Sequence, residues 1–501
     1  MRENNHLDDD SQKVSPPPSR NMKARRISAS VVRNALQAAE VEFEWCQQSL
    51  AAMRRPGDHE GVGLAILDFQ PRLRDAIADL ETTYRRIKQE EKRLIANKQG
   101  YNEMWFKQRM GKLASYTKSL TEGLAIGRAL GDGFAWQFYQ QDRDLIDEHL
   151  KLQRQSLLPP AIGALGEKLT LENMRGWDEH LLIYHGTTTF LRMGDFSLVD
   201  LKSGRVSCIG ELKTQRVDEQ QLSVSISLIG SEGSRMPKLP DFKKRKAEEE
   251  LKLAPPLPSR MQARLKRQIR EIHEAIERAH EGRAEKSISN RSKFHFVELE
   301  ELVRRSHTKS FEFAKAGDGL LLGALRLRAG TTLASKLMGE GFRSFDRAVA
   351  DAPVWVLKIL SPDIADNSIS IGSLGGPDYL PTDRSCLPFL AWSVDPDVLA
   401  DIMFGRVIVV TFFNRAHLIA KLRERGFEVE TDGKGKLLRA HKLVEENKQI
   451  ALEHFDQFFG LVERPLMTEE SVIFMIDETI RSSMALGKDG PGRVEFRTRI
   501  A

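Results

Sequence analysis

Between residues 31 and 155 apolar side chains recur every three or four positions with few breakers, the spacing of helices that each bury one face. Helices are predicted over Val31–Arg55, Gly63–Lys98 and Glu103–Gln155, with Leu73, Ile77, Leu80 and Tyr84 forming one core-facing stripe. At Leu157-Leu158-Pro159-Pro160 the pattern changes. A glycine-containing helix is expected over 161–175, then an apolar run at 180–185 that suits a buried strand. Two further short strands follow, at 195–201 and 206–214, around a tight turn. Residues 259–283 return to helical periodicity, with Leu265, Ile269, Ile272, Ile276 and Ala279 at alternating spacings of four and three, as in a coiled-coil seam. Beyond about 345, buried strands are expected at 352–360, 388–392 and 406–413. Helices are expected at 395–404, 415–425 and 443–459.

These elements read as α/β, α+β overall. Residues 1–30 are a polar tail expected to be disordered, 31–156 a helical domain, 157–345 a sheet-containing domain, and 346–501 a C-terminal α/β region. The Pro- and Lys-rich stretch after residue 230 and the charged helix behind it read as an insertion spanning 230–292.

Composition adds little to this and excludes some classes. The chain of 501 residues carries 76 Lys and Arg against 71 Asp and Glu, so any nucleic-acid contact must come from local clusters. Those clusters are Lys243, Lys244, Arg245 and Lys246, and the outer face of the charged helix with Arg264, Lys266, Arg267 and Arg270. Three cysteines, far apart, offer neither a disulfide framework nor a thiolate zinc site, which suits a reducing cytoplasm. No apolar run is long enough for a membrane span, so no membrane partner is expected. Phosphate-loop, HExxH and GxSxG patterns are missing, and with them a built-in ATP motor.

The candidate chemistry sits in the stretch GDFSLVDLKSGRVSCIGELKTQ, residues 194–215. Lys202-Ser203-Gly204 suits a three-residue hairpin loop with Gly in the left-handed position. Pairing Leu201 with Arg205 sets Asp195 opposite Glu211, with Cβ atoms about 5 Å apart, and places Lys213 on the same face. Asp200 falls on the other face. Two carboxylates held together in a half-buried strand pair repel unless a cation lies between them. Hard oxygen ligands of this kind suit Mg²⁺ or Mn²⁺, and a lysine beside them can serve an attacking water.

Asp195 followed by Glu211-Leu212-Lys213 resembles the D…ExK signature of the PD-(D/E)xK, or restriction-endonuclease-like, nuclease superfamily. Gly163-Ala164-Leu165-Gly166-Glu167 resembles the GxxGE helix that opens that fold, and the order of helix, strand, Asp strand and ExK strand also fits. The resemblance covers about 160–215. It implies a mixed-sheet core, Asp195 and Glu211 as metal ligands, Glu167 as a third acid reaching the same metal, Lys213 as the catalytic lysine, and Gln215 as an auxiliary polar residue. It further implies Mg²⁺ (or Mn²⁺) as cofactor and DNA as substrate, in a setting such as bacterial antiviral defence or mobile-element biology. The sequence departs from the pattern in having Gly rather than Pro before Asp195. The helix and strand that should follow the ExK strand are displaced, 296–305 with 318–327 being one candidate pair. The competing expectations are a non-catalytic nucleic-acid-binding or scaffold protein with a nuclease-like fold, and a nuclease subunit that needs a partner. The helical regions are candidate surfaces for self-association or a partner protein.

Overall fold

The computed structural model describes residues 26–54, 59–152, 158, 162–173, 177–217, 222–230, 235, 237, 259–281, 288–291, 293–327, 332–338, 356, 359–360, 369–374, 388–431, 437–445, 448–453, 456–486 and 496–499. Three long helices come first: α1 (Ala29–Arg54), α2 (His59–Ala96) and α3 (Glu103–Tyr139), with α4 (Arg143–Leu150) behind them. Leu73, Ile77 and Leu80 are fully buried, as their spacing requires. Asn102 caps α3 by accepting from the backbone N–H groups of Met104 and Trp105 at 3.0 and 3.2 Å. The third predicted helix breaks at Gln140–Asp142, where the Asp142 carboxylate turns away to accept from the N–H of Val206 at 2.8 Å. The tail expected over 1–30 lies outside the described residues up to residue 25. Its end is anchored, because Ile27 is buried and its backbone binds Glu90 (2.9 Å) and Arg109 (2.8 Å).

Residues 162–230 build α5 (Ile162–Asn173) and an antiparallel sheet of β1 (His180–Tyr184), β2 (Phe196–Asp200), β3 (Arg205–Arg216) and β4 (Leu222–Gly230), in the order β1-β2-β3-β4. Every residue of β1 and β2 is buried, so both faces of this sheet are covered. The expected mixed sheet is thus antiparallel throughout, and the strand after β3 pairs with it as a direct neighbour. The helical arm does not stand apart. Its α2 and α3 share one continuous core with the sheet, and α3 meets the turn at 185–187 so closely that a Cβ on Gly131 would overlap the Thr187 carbonyl.

The charged helix α6 (Ser259–Glu281) packs on α4, β3 and β4. Ile272, Ile276 and Ala279 of its apolar seam are buried inside the chain, so the seam is intramolecular packing. A second antiparallel sheet, ordered β6-β7-β9-β8, joins β6 (Phe311–Lys315) and β7 (Leu320–Arg326) to β8 (Ile369–Leu374) and β9 (Val407–Asn414). It draws strands from both sides of residue 345, so a boundary there would cut a sheet. The candidate pair at 296–305 and 318–327 forms α7 (Phe296–Arg305) and β7, and β7 lies in this second sheet, away from β3. The only parallel pair among the described residues is β5 (Ile288–Arg291) with β13 (Phe496–Arg499).

Downstream, α8 (Pro396–Met403) and α9 (Arg415–Glu424) fall where expected, each behind a capping residue, Asp395 and Asn414. Three other expectations fail. Residues 388–392 form a short 3-10 turn at Phe389–Ala391. In 352–360 the Leu360 N–H donates to the Val356 carbonyl at 2.9 Å, a helical bond that sets those two buried residues four apart. An unbroken apolar run cannot by itself choose helix or strand. The helix expected over 443–459 is instead β11 (Leu437–Glu445) and β12 (Lys448–Glu453) in a sheet with β10 (Phe427–Thr431), with helix α10 (Asp456–Glu463) starting only after them. Cross-strand pairing there overrides good local helix formers. Among the described residues no helix is long and apolar enough to cross a membrane.

Candidate active site

Phe196 pairs with Gly210, Ser197 with Ile209 and Leu198 with Cys208, the register expected for the outer half of the hairpin. A bulge between Leu198 and Val199 then shifts the inner pairs to Val199 with Val206 and Asp200 with Arg205. Leu201 therefore belongs to the loop. Gly204 keeps its left-handed conformation at φ +66°. The Asp200 carboxylate closes the turn, accepting from the Lys202 N–H at 3.0 Å and the Ser203 hydroxyl at 2.9 Å.

Continued one residue past Phe196, the outer register places Asp195 across from Glu211. The Asp195 N–H donates to the Gly210 carbonyl at 2.8 Å, and its Oδ2 accepts from the Leu212 N–H at 2.6 Å. Gly194 stands at φ +67°, and a Cβ there would meet the Gly210 carbonyl at 2.7 Å. A proline, held near −65°, cannot take that conformation, which accounts for the departure from the superfamily pattern.

Glu211 is buried and accepts a short hydrogen bond from Lys213 Nζ. Glu167, from α5, is buried and accepts from the Tyr184 hydroxyl. A Cβ on Gly166 would overlap the Thr214 hydroxyl, so α5 can approach β3 this closely only with glycine at that position. Burial, followed by the charge of Glu211, pushes the Asp195 carboxyl up to about 7 against the opposing Leu212 N–H and the charges of Lys213 and Arg264. Burial also drives Glu167 up to about 8. The Tyr184 hydroxyl and Arg74 oppose that rise, and the charges of Asp195 and Glu211 add to it.

The three acids therefore lie in one another's field. Among the described residues, however, no three His, Cys, Asp or Glu side chains stand close enough to hold a metal ion together. The donor set itself suits a hard cation: carboxylate oxygens only, two of them across a strand pair, with mutual repulsion that a cation would relieve. Gln215, two residues past Lys213, is half-buried in β3 and pairs with Ser223 of β4. Arg264, Lys266, Arg267 and Arg270 are exposed on α6, two of them facing acids one turn on, Glu271 at 3.8 Å and Glu274 at 3.9 Å. Lys243, Lys244, Arg245 and Lys246 lie outside the described residues.

Sequence reasoning missed the polar residues behind the hairpin. The Tyr139 hydroxyl bonds Ser197 Oγ at close range, and Ser197 Oγ lies 2.7 Å from His185 Nε2. His185 Nδ1 faces the Gly194 carbonyl at 3.2 Å, and its backbone N–H donates to the Asp195 carbonyl at 3.0 Å. The available signal was Ser197, a hydroxyl inside an otherwise apolar buried strand. Burial holds the His185 imidazole down at about 4 and drives the neighbouring His149 well below its ordinary value. An unfolded His185 would bind a proton near 6.5, so its contribution is fully present above that pH and is lost as pH falls through 4. The stability advantage of wild type over His185→Asn should accordingly shrink by about 3 kcal/mol between pH 7 and pH values below 4, read from urea midpoints. An unchanged difference would show that His185 is not buried as the neutral form.

Comparison with known proteins returns no match: no family model, no curated protein and no solved structure is similar to this chain.

Proposed function

We propose that this protein is a divalent-metal-dependent nuclease of the restriction-endonuclease-like kind, acting on DNA. The observation that carries the proposal is the meeting of Asp195, Glu211 and Lys213 at the open end of one buried hairpin, with Glu167 in their field. Asp195 and Glu211 would hold the cation, assisted by Glu167 directly or through water. When bound, Mg²⁺ or Mn²⁺ would supply charge neutralisation at the scissile phosphate and a more acidic water. The chain's own residues do the rest. Burial of the acids excludes bulk water. Lys213, on the same side of β3 as Glu211, orients the attacking water and balances charge that develops on the phosphate. The exposed basic face of α6 leads toward the site, since the charge of Arg264 acts on Asp195. It would meet the DNA backbone in a sequence-independent, salt-sensitive way.

A second reading is favoured by the internal neutralisation of the acids. Lys213 rests on Glu211, Tyr184 on Glu167, and no three acids group around a common point among the described residues. That arrangement suits a non-catalytic nucleic-acid-binding or scaffold protein, or a subunit whose site is completed by a partner.

Plasmid and single-stranded DNA incubated with Mg²⁺ or Mn²⁺ separate the readings. The wild type should cut, and Lys213→Ala and Asp195→Ala should cut slower by a factor on the order of 10²–10⁴. Equal, poor cutting by all three would remove the enzyme reading. DNA binding that weakens with salt and is unchanged by Asp195→Ala would then support the binding protein.

A further inference from the structure

Two residues one turn apart on α2 reach from the helical arm into the candidate site. The Gln70 side chain is buried and bridges the edge of β1: its Nε2 donates to the Leu182 carbonyl at 2.5 Å and its Oε1 accepts from the Tyr184 N–H at 2.6 Å. A side-chain amide thus satisfies the two backbone groups that another strand would have paired. Arg74 is also buried. One guanidinium nitrogen donates to the Ala164 carbonyl of α5 at 2.5 Å, and another to Asp75 at 2.8 Å. Asp75 in turn accepts from Lys168 of α5 at 2.7 Å. The grip falls on both sides of Glu167, at Ala164 before it and Lys168 after it.

Packing alone does not account for Arg74. A buried guanidinium loses hydration, and here its Nε is buried with no hydrogen-bond partner among the described residues, a costly arrangement for a residue that only fills space. What the position provides is a positive charge whose field reaches the Glu167–Tyr184 pair and lowers the tendency of both groups to stay protonated. An Arg on the arm, a Tyr on β1 and a Glu on α5 therefore make one unit out of three segments.

We propose that Arg74 is a positioning residue of the carboxylate site: from the helical arm it fixes α5, and through α5 and Tyr184 it sets where the Glu167 carboxylate points. The arm is then part of the site. The metal arm of the test rests on the nuclease reading above; the tyrosine arm does not.

The full chain and its variants Arg74→Gln, Arg74→Lys, Glu167→Gln and Arg74→Gln/Glu167→Gln would be titrated with Mn²⁺, free ion being read by electron paramagnetic resonance. Removing a residue that orients a ligand typically weakens metal affinity about 10–100-fold. Arg74→Gln is expected to lose that much, Arg74→Lys less, and the double variant no more than Glu167→Gln alone. Additive losses would overturn the proposal, because Arg74 would then act independently of Glu167; so would unchanged affinity in Arg74→Gln. In the metal-free protein labelled with ¹³Cζ-tyrosine, the Tyr184 signal, assigned with Tyr184→Phe, should move in Arg74→Gln and return at least in part in Arg74→Lys. A Tyr184 signal that stays in place overturns the positioning role whatever the metal does. A wild type that binds no Mn²⁺ while Tyr184 responds to Arg74 overturns the nuclease reading alone.

Discussion

Replacing Asp195 with Asn is expected to slow DNA cleavage severely and at the same time to stabilise the metal-free protein. The two effects have one cause. Burial and the charge of Glu211 hold the Asp195 carboxyl at about 7, far above its ordinary 3.8, so the folded state resists the ionised form. A carboxyl raised in this way favours folding while it is protonated, and the advantage is lost as pH rises through 7. Near pH 8 an uncharged isostere removes that penalty. Asn can still accept the Leu212 N–H that Asp195 now binds. The full shift corresponds to an upper bound of about 4 kcal/mol, and relaxation around a partly open group leaves about 1–3 kcal/mol. Thermal melts in EDTA should therefore show a rise of a few degrees at pH 8 that fades toward pH 4. Cleavage with Mg²⁺ should fall by a factor on the order of 10²–10⁴. A site kept for function at the expense of stability behaves this way. A melting temperature that falls at pH 8 would show that the two acids are not in conflict, and the case for a cation between them would go with it.

The parts of this site that could be read from the chain are those set by strand alternation and turn chemistry. Gly204 in a left-handed position and the register that pairs Phe196 with Gly210 put Asp195 across from Glu211, and Asp200 is left to close the turn. The bulge at Leu198 was not legible, because the extra residue, Ser207, looks like any other strand position; its hydroxyl is used on the Leu198 carbonyl at 3.0 Å. Alternation likewise cannot say what covers a sheet. The seam on α6 has the spacing of a coiled coil, and the surface it meets, α4 with β3 and β4, depends on contacts distant in sequence. Gln70 and Arg74 were hidden for the same reason. On a helix they look like a solvated polar pair, and only the approach of β1 and α5 turns them inward. The stretch 443–453 failed differently: its local composition favours helix, and ladder bonds to neighbouring strands decided otherwise.

Glu81→Ala should be the most damaging single change in the helical arm. Glu81 is fully buried on α2, and both its oxygens accept from the Leu158 N–H, at 3.0 and 2.9 Å. Arg128 of α3 reaches it at 3.2 Å and Arg85 at 3.2 Å. Burial pushes its carboxyl above the ordinary range against the pull of Leu158, Arg128 and Arg85, so the carboxylate is held only because these partners surround it. Truncation would strand the Leu158 N–H and leave the buried Arg128 with its charge opposed mainly by Asp132. Breaking a buried pair by removing one partner costs roughly 3–5 kcal/mol, and the remaining field of Asp132 points to about 3 kcal/mol here. Glu81→Gln, which keeps an acceptor for Leu158 and loses only the charge, should cost less than half as much. Because Leu158 lies just ahead of α5, Glu81→Ala is also expected to raise hydrogen exchange in α5 around Glu167 before global unfolding. A urea midpoint for Glu81→Gln equal to that of wild type would mean that the buried charge contributes nothing beyond its hydrogen bonds.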